Sequence, residues 1–317
     1  MVERSQTHRG FALGVLLNAG FVVAEFIAGT QADSVALVAD AAHNLGDVAG
    51  LILAWGAALL ATRAPTKRRT YGWRKSTILA ALANALLLIG ATGALAWEAI
   101  GRLAEPPHAQ GLTMIIVAAI GVVINGLSAW ILLRSGHAHH HGHDHDHDHH
   151  HDHDHDHHHE GQPDINLRAA FQHMLADAAV SLGVVLAGVV LLLTQWTWID
   201  PVVSLLIALV IVASTWSLLR ESLALTLDAV PEHIQIDAVR KFLSERPGVV
   251  GVHDLHVWAL GSSEVALTAH LVLDRASADF LSETETTLHD RFGIDHTTLQ
   301  IEPLEQVACR HAEGCQG

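Results

Sequence analysis

Two copies of one short pattern, His43-x-x-x-Asp47 and His173-x-x-x-Asp177, each lie inside a stretch of this 317-residue chain that is otherwise apolar. Four residues apart on a helix, an imidazole and a carboxylate share one face, so two such helices facing each other offer two nitrogens and two oxygens to one point. That donor set suits a tetrahedral divalent metal, zinc first. Ionisable groups in hydrocarbon are costly and usually mark an ion or proton path. The chemistry expected is therefore passage of a metal ion through a membrane. The alternative, a neutralised polar patch between packed helices, would have to arise twice with one spacing.

The elements that must hold these residues are membrane spans. Half of the residues are hydrophobic, 16% are charged, and the mean hydropathy is +0.31. Six apolar segments, near 10–28, 35–61, 77–100, 112–133, 168–194 and 199–220, have the roughly 20 residues that a bilayer core of about 30 Å requires. Arg4, His8 and Arg9 lead into the first span without a small-residue cleavage site, so it reads as a retained span and not a signal peptide.

Basic residues orient the spans. Arg63, Lys67, Arg68, Arg69, Arg74 and Lys75 follow span 2, whereas Lys and Arg are lacking after spans 1 and 5 and span 3 is followed by Arg102 alone. By the positive-inside bias both termini are cytoplasmic. At 1.5 Å per residue Asp47 then lies about 18 Å from the outer end of its span and Asp177 about 14 Å from the inner end of its own, nearly the same depth. Small neighbours (Ala41, Ala42, Gly46 and Ala49; Ala176, Ala178, Ala179 and Gly183) permit close helix approach. Asp40 reads as a partner of a ligand or an N-terminal polar contact. Glu25, Asn18, Asn84 and Asn125 read as interhelical hydrogen-bonding groups, with Glu25 also a candidate for a proton path.

The net charge of −15 resides in 135–161 and 229–317, which disfavours nucleic acid and favours cations. In the first of these, His137, His139, His140, His141, His143, His145, His147, His149, His150, His151, His153, His155, His157, His158 and His159 alternate with Asp144, Asp146, Asp148, Asp152, Asp154 and Asp156. With nothing apolar to bury, 135–162 should be a disordered cytoplasmic loop that gathers divalent ions at the transport mouth.

From about 226 the chain becomes polar and reads as helix 232–246, strand 249–258, a turn at Gly261-Ser-Ser, strand 264–273, helix 277–292 and strand 297–303. Val265, Leu267, Ala269, Leu271 and Leu273 alternate onto one face. The αββαβ order suggests a small α+β layer over 226–305 with a 306–317 tail. Its core is modest, so dimerisation would help to stabilise it. His253 and His270 sit on the two hairpin strands and can meet across it. Cys309, His311 and Cys315 in the tail form a soft-ligand cluster; reduced inert thiols are the alternative, since a disulfide is disfavoured in a reducing compartment. His233, His256 and His289 read as surface or hydrogen-bonded residues.

Ser34-Val-Ala-Leu-Val-Ala-Asp40-Ala-Ala-His43-Asn-Leu-Gly-Asp47, Tyr71-Gly-Trp-Arg74, His173-Met-Leu-Ala-Asp177 and Val252-His253-Asp-Leu-His256-Val-Trp258, in this order, resemble the cation diffusion facilitator family, in its zinc/cadmium/cobalt branch. The resemblance implies a homodimer of six-span protomers in the bacterial inner membrane, with a ferredoxin-like cytoplasmic domain, exporting zinc against protons. His43, Asp47, His173 and Asp177 would be the transport site. It also puts His253, His270, His296 and Glu302 where regulatory cytoplasmic metal sites fall. Some relatives carry another Asp/His site after span 2; 63–76 contains neither residue, so that site is expected to be missing, and its basic residues are expected at lipid headgroups or in dimer salt bridges. A metal sensor or buffer, a metal importer, and an intramembrane metalloprotease remain as rival functions. The last is disfavoured because no His-Glu-x-x-His occurs.

Overall fold

A computed structural model describes residues 19–106, 108–136, 165–273, 277 and 279–303, with backbone alone in 128–136 and 165–173. The histidine tract, the start of the first expected span, and Cys309, His311 and Cys315 lie outside the described residues. Helices are α1 (19–31), α2 (Val35–Ala61), α3 (Ser76–Arg102), α4 (Gly111–Gly136), α5 (Ile165–Thr194), α6 (Ile199–Thr226), α7 (Ile236–Ser244) and α8 (Phe280–Phe292). Strands are β1 (Val249–Ala259), β2 (Val265–Leu273) and β3 (His296–Glu302).

Among the described residues four helical segments are long and apolar enough to cross a membrane: α2, α3, Met174–Thr194 of α5, and α6. Large apolar side chains on them point outward, Trp97 and Leu193 at 80% exposure each, a surface that lipid would cover. Helix α6 continues to Thr226, past the expected end at 220, because its final turns are polar but still helical, with Ser222 and Thr226 hydroxyls bonding back to Leu218 and Ser222 carbonyls.

The chain divides into two compact units, 1–48 with 88–212, and 49–87 with 213–317. In the first, Ala36, Leu37 and Ala39 of α2, Met114 and Ala118 of α4, Val184, Ala187 and Leu191 of α5, and Ile207 and Ile211 of α6 form one buried core. Helices α4 and α5 meet at glycines: a Cβ built on Gly188 would lie 2.9 Å from the Gly111 carbonyl oxygen, and the reverse contact is equally short. The small residues singled out in the sequence are not this contact; Gly183 faces open space. The start of α2 is held by a carboxylate from α6. Asp200, 1% exposed, accepts hydrogen bonds from Ser34 Oγ and from the Val35 and Ala36 amides.

In the second unit a three-stranded sheet runs in the order β1-β2-β3, antiparallel between β1 and β2 and parallel between β2 and β3. Helix α8 is the crossover that a parallel pair needs. As the central strand, β2 buries more than one face: Ala266 and Val272 are buried beside the alternating set. With Val239 and Leu243 of α7, Leu255 and Val257 of β1 and Phe280 and Leu288 of α8, the alternating set Val265, Leu267, Ala269, Leu271 and Leu273 closes the domain core. Both helices begin later than expected. A turn closed by Ile234 N–H to the Pro231 carbonyl precedes α7, and Asp279 stands at the N-cap of α8, which ends on Gly293 at φ 67°.

Two of the loop's basic residues are engaged within the chain, which corrects their expected place at lipid or a dimer contact: Arg74 pairs with Glu264 and Lys75 with Asp228. The Arg69 guanidinium stacks 3.6 Å from the Trp73 ring centroid, and the Thr77 hydroxyl accepts from Ser262 N–H at 3.0 Å.

Candidate metal centres

Helix α2 enters through a tight turn in which Asp33 adopts φ 53°, and its N-terminus is pinned by Asp200. Two turns further on, His43 and Asp47 stack four residues apart, and Asp177 of α5 packs against them. One donor atom from each of His43, Asp47 and Asp177 lies within 4.8 Å of the other two. His43 Nε2 is 3.1 Å from Asp177 Oδ1, and Asp177 is 6% exposed. One imidazole and two carboxylates at that spacing can close on a divalent ion with little movement. His173 lies one helical turn before Asp177 on α5; its side chain is outside the described part.

Asp40, read from the sequence as a partner of a ligand or an N-terminal polar contact, faces Ser181 and Glu25. Ser181 Oγ donates to Asp40 Oδ2 at 2.7 Å, and the carboxyls of Asp40 and Glu25 are within hydrogen-bonding reach. Asn44 Nδ2 donates to Glu25 Oε2 at 3.1 Å. All four residues are buried.

The second grouping is on the sheet. His253 on β1 and His270 on β2 are direct cross-strand partners with ring centroids 5.2 Å apart, and β3 runs parallel to β2, bringing Glu302 alongside. His253 Nε2 lies 3.0 Å from Glu302 Oε2, and His270 Nδ1 3.0 Å from Glu302 Oε1. The donors of all three fall within 4.8 Å of one another. His253 Nδ1 is buried with no hydrogen-bond partner. Two imidazoles with a carboxylate, one ring nitrogen unsatisfied, form a donor set that suits zinc.

His296 does not join this set. It is six residues before Glu302 on β3, roughly 20 Å away at strand rise, and its ring meets Tyr71 edge to face at 5.5 Å. Strand spacing separates His296 from the set in which the family resemblance had placed it. His233, His256 and His289 are exposed. His256 Nε2 lies 2.9 Å from Asp254 Oδ1 and His289 Nδ1 2.9 Å from Asp290 Oδ1.

The sequence reading passed over Asp254. It occupies a bulge in β1, where the register shifts between His253 and His256, and its backbone is left-handed at φ 53°. The bulge turns its Oδ2 to 3.5 Å from His270 Nε2. A hydrogen bond with His256 holds its carboxyl below the usual aspartate range, aided by the charges of His256 and His270. Adjacency to His253 was the available signal. The Glu25–Asp40 contact and the Asp200 cap were also missed, since each needs two helices brought side by side.

The family model described as the cation efflux transmembrane domain matches residues 11–225, and the model of the cation efflux protein cytoplasmic domain matches 231–304. The chain belongs to the cation efflux family. Its relatives include the metal cation efflux system protein CzcD of Cupriavidus metallidurans, 34% identical over 96% of this chain and 90% of that protein. The zinc transporter ZitB of Escherichia coli is 35% identical over 97% and 91%. A cadmium, cobalt and zinc/H(+)-K(+) antiporter of Bacillus subtilis is 28% identical over 92% and 87%. Membership makes the chain a multi-pass membrane transporter and not an enzyme, with its polar C-terminal part the family's cytoplasmic domain.

Proposed function

We propose that this cation efflux protein moves zinc, with cadmium and cobalt as further substrates, out of the cytoplasm in exchange for protons. His43, Asp47, His173 and Asp177 are the transport site. The observation that carries this is the convergence of His43, Asp47 and Asp177 from two helices within 4.8 Å, among apolar spans. Imidazole beside carboxylate favours zinc and cadmium over magnesium or manganese. The name of the CzcD relative supports metal efflux, that of ZitB supports zinc, and that of the antiporter supports cadmium, cobalt and zinc and an antiport.

Coupling follows from the donors. Zinc requires neutral imidazole and ionised carboxylate, so metal entry expels protons and protonation expels metal. Alternating access around a site near the midplane then lets an inward proton gradient drive zinc outward. The protein works as a homodimer of six-span protomers in a bacterial inner membrane, with 1–225 as the membrane part and 226–305 as a ferredoxin-like cytoplasmic domain. The αββαβ order with α8 as crossover supports that fold. His253, His270 and Glu302 bind a regulatory zinc, the tail cysteines add soft donors, and the histidine tract captures ions at the entrance.

The test is proton-gradient-driven zinc flux in proteoliposomes for the intact protein, for Asp47→Ala with Asp177→Ala, and for deletion of 137–159. Flux lost in the double variant and only shifted in zinc dependence by the deletion supports the proposal. Flux that survives the double variant overturns the site. Binding without flux in the intact protein makes it a sensor or buffer, and zinc accumulation with the proton flow makes it an importer.

A further inference from the structure

The buried carboxyl pair on α1 and α2 has no part in the metal donor set. Glu25 and Asp40 are each 0% exposed. Asn44 donates to Oε2 of Glu25 and Ser181 to Oδ2 of Asp40, which leaves Oε1 and Oδ1 buried without a donor from any other residue. Without a positive charge nearby, two carboxyl groups within hydrogen-bonding reach cannot both be ionised in such a place, and one O–H shared between them relieves the pair. The ligand that fits is a proton, since a metal would need donors that Asn44 and Ser181 already occupy.

We propose that Glu25 and Asp40 form a proton-binding site separate from the metal ligands, holding one shared proton in the metal-free protein and releasing it when a divalent ion occupies the His43, Asp47 and Asp177 site. Asp40 precedes His43 by three residues on α2, and Ser181 follows Asp177 by four on α5, so the pair forms a layer about one helical turn from the metal layer. At that distance in a medium of low dielectric, a divalent charge favours the doubly ionised pair. The released proton leaves to solvent and balances one of the two positive charges that arrive.

The ionisable neighbours are few. His43 and Asp47 share α2 with Asp40, and Asp177 faces them from α5. Helix α1 has no other ionisable residue in 19–31, and α4 has none in 111–127. On α3 and on 199–212 of α6, the part in the same compact unit, Glu98, Arg102 and Asp200 are engaged at the start of α2, Arg102 by Glu98 and Asp33, and Asp200 by Ser34 and two amides. The metal layer is thus the charge to which the pair responds.

The inference rests on the metal-site reading, and the experiment separates the two. Purified full-length protein in weakly buffered detergent is mixed with zinc while bound zinc and released protons are measured. Glu25→Gln and Asp40→Asn should each bind zinc and release about one proton fewer per zinc than the wild type. The zinc-induced infrared difference spectrum of the wild type should lose a carboxylic acid C=O band, and Glu25→Gln should abolish that band. Unchanged proton release per zinc in both variants, or a wild-type spectrum with no zinc-sensitive acid band, overturns the proposal. The wild-type spectrum decides alone where a variant does not fold. Zinc binding that is indifferent to Asp47→Ala with Asp177→Ala overturns the metal-site reading instead.

Discussion

Replacing Asp200 with alanine removes a cap that one helix provides for another. The carboxylate accepts from Ser34 Oγ, from Val35 N at 2.9 Å and from Ala36 N at 3.3 Å, and Ser34, Val35 and Ala36 are themselves at most 3% exposed. No water replaces the lost oxygens, so the two amides keep the full cost of being buried unpaired. Each such group costs about 1–3 kcal/mol; taking about 1–2 kcal/mol for each of the two amides and about 1 kcal/mol for the lost N-cap, Asp200→Ala should lose roughly 3–5 kcal/mol. Asp200→Asn retains one acceptor oxygen and should lose about half of that. Thermal unfolding of the zinc-free protein in detergent reads this as a fall of roughly 6–10 °C for alanine, at about 2 °C per kcal/mol. Helix α2 carries His43 and Asp47, so freeing its start should also weaken zinc binding with every ligand intact. A loss under about 1 kcal/mol for Asp200→Ala would refute the reasoning, because it would mean that the amides find other partners.

Three further outcomes are expected. Asp177→Asn keeps an acceptor for His43 but removes an anionic ligand, so zinc affinity, read by equilibrium binding, should fall by at least the roughly 10–100-fold typical of losing a group that merely orients a ligand. Gly188→Val drives a side chain into the Gly111 carbonyl, 2.9 Å from the Cβ position, and should cost about 1–3 kcal/mol in thermal unfolding, while Gly183→Ala, in open space, should be neutral. The hydrogen bond to Asp290 raises the His289 pKa above 6.5. A group whose folded pKa is raised adds stability that is complete below its unfolded value and lost as pH rises through the folded one. Histidine NMR should therefore show His289 titrating above 6.5, returning toward it in Asp290→Asn.

Much of the candidate intramembrane metal site could be read in the residues. A carboxylate and an imidazole one helical turn apart on an apolar segment share a face whatever surrounds them, so local periodicity alone paired His43 with Asp47. The alternation from Val265 to Leu273 identified a strand for the same reason, and the hairpin brought His253 opposite His270. The parallel return of β3 was a tertiary decision. It set Glu302 beside the two histidines and carried His296 to the far end of the strand, although the family resemblance had grouped all four. The bulge at Asp254, the embrace of α2 by Asp200 across 165 residues, and the meeting of Glu25 with Asp40 also depended on packing.

By itself the sequence determined which segments are apolar enough for a bilayer, which residues could ligate a metal, and the order of elements in the polar C-terminal part, because hydropathy, residue chemistry and periodicity are local properties. Only the tertiary structure decided which buried charges share a partner. Burying an ionisable group is tolerated only when another group satisfies it, and that partner comes from a different helix or strand, through contacts that no spacing along the chain encodes.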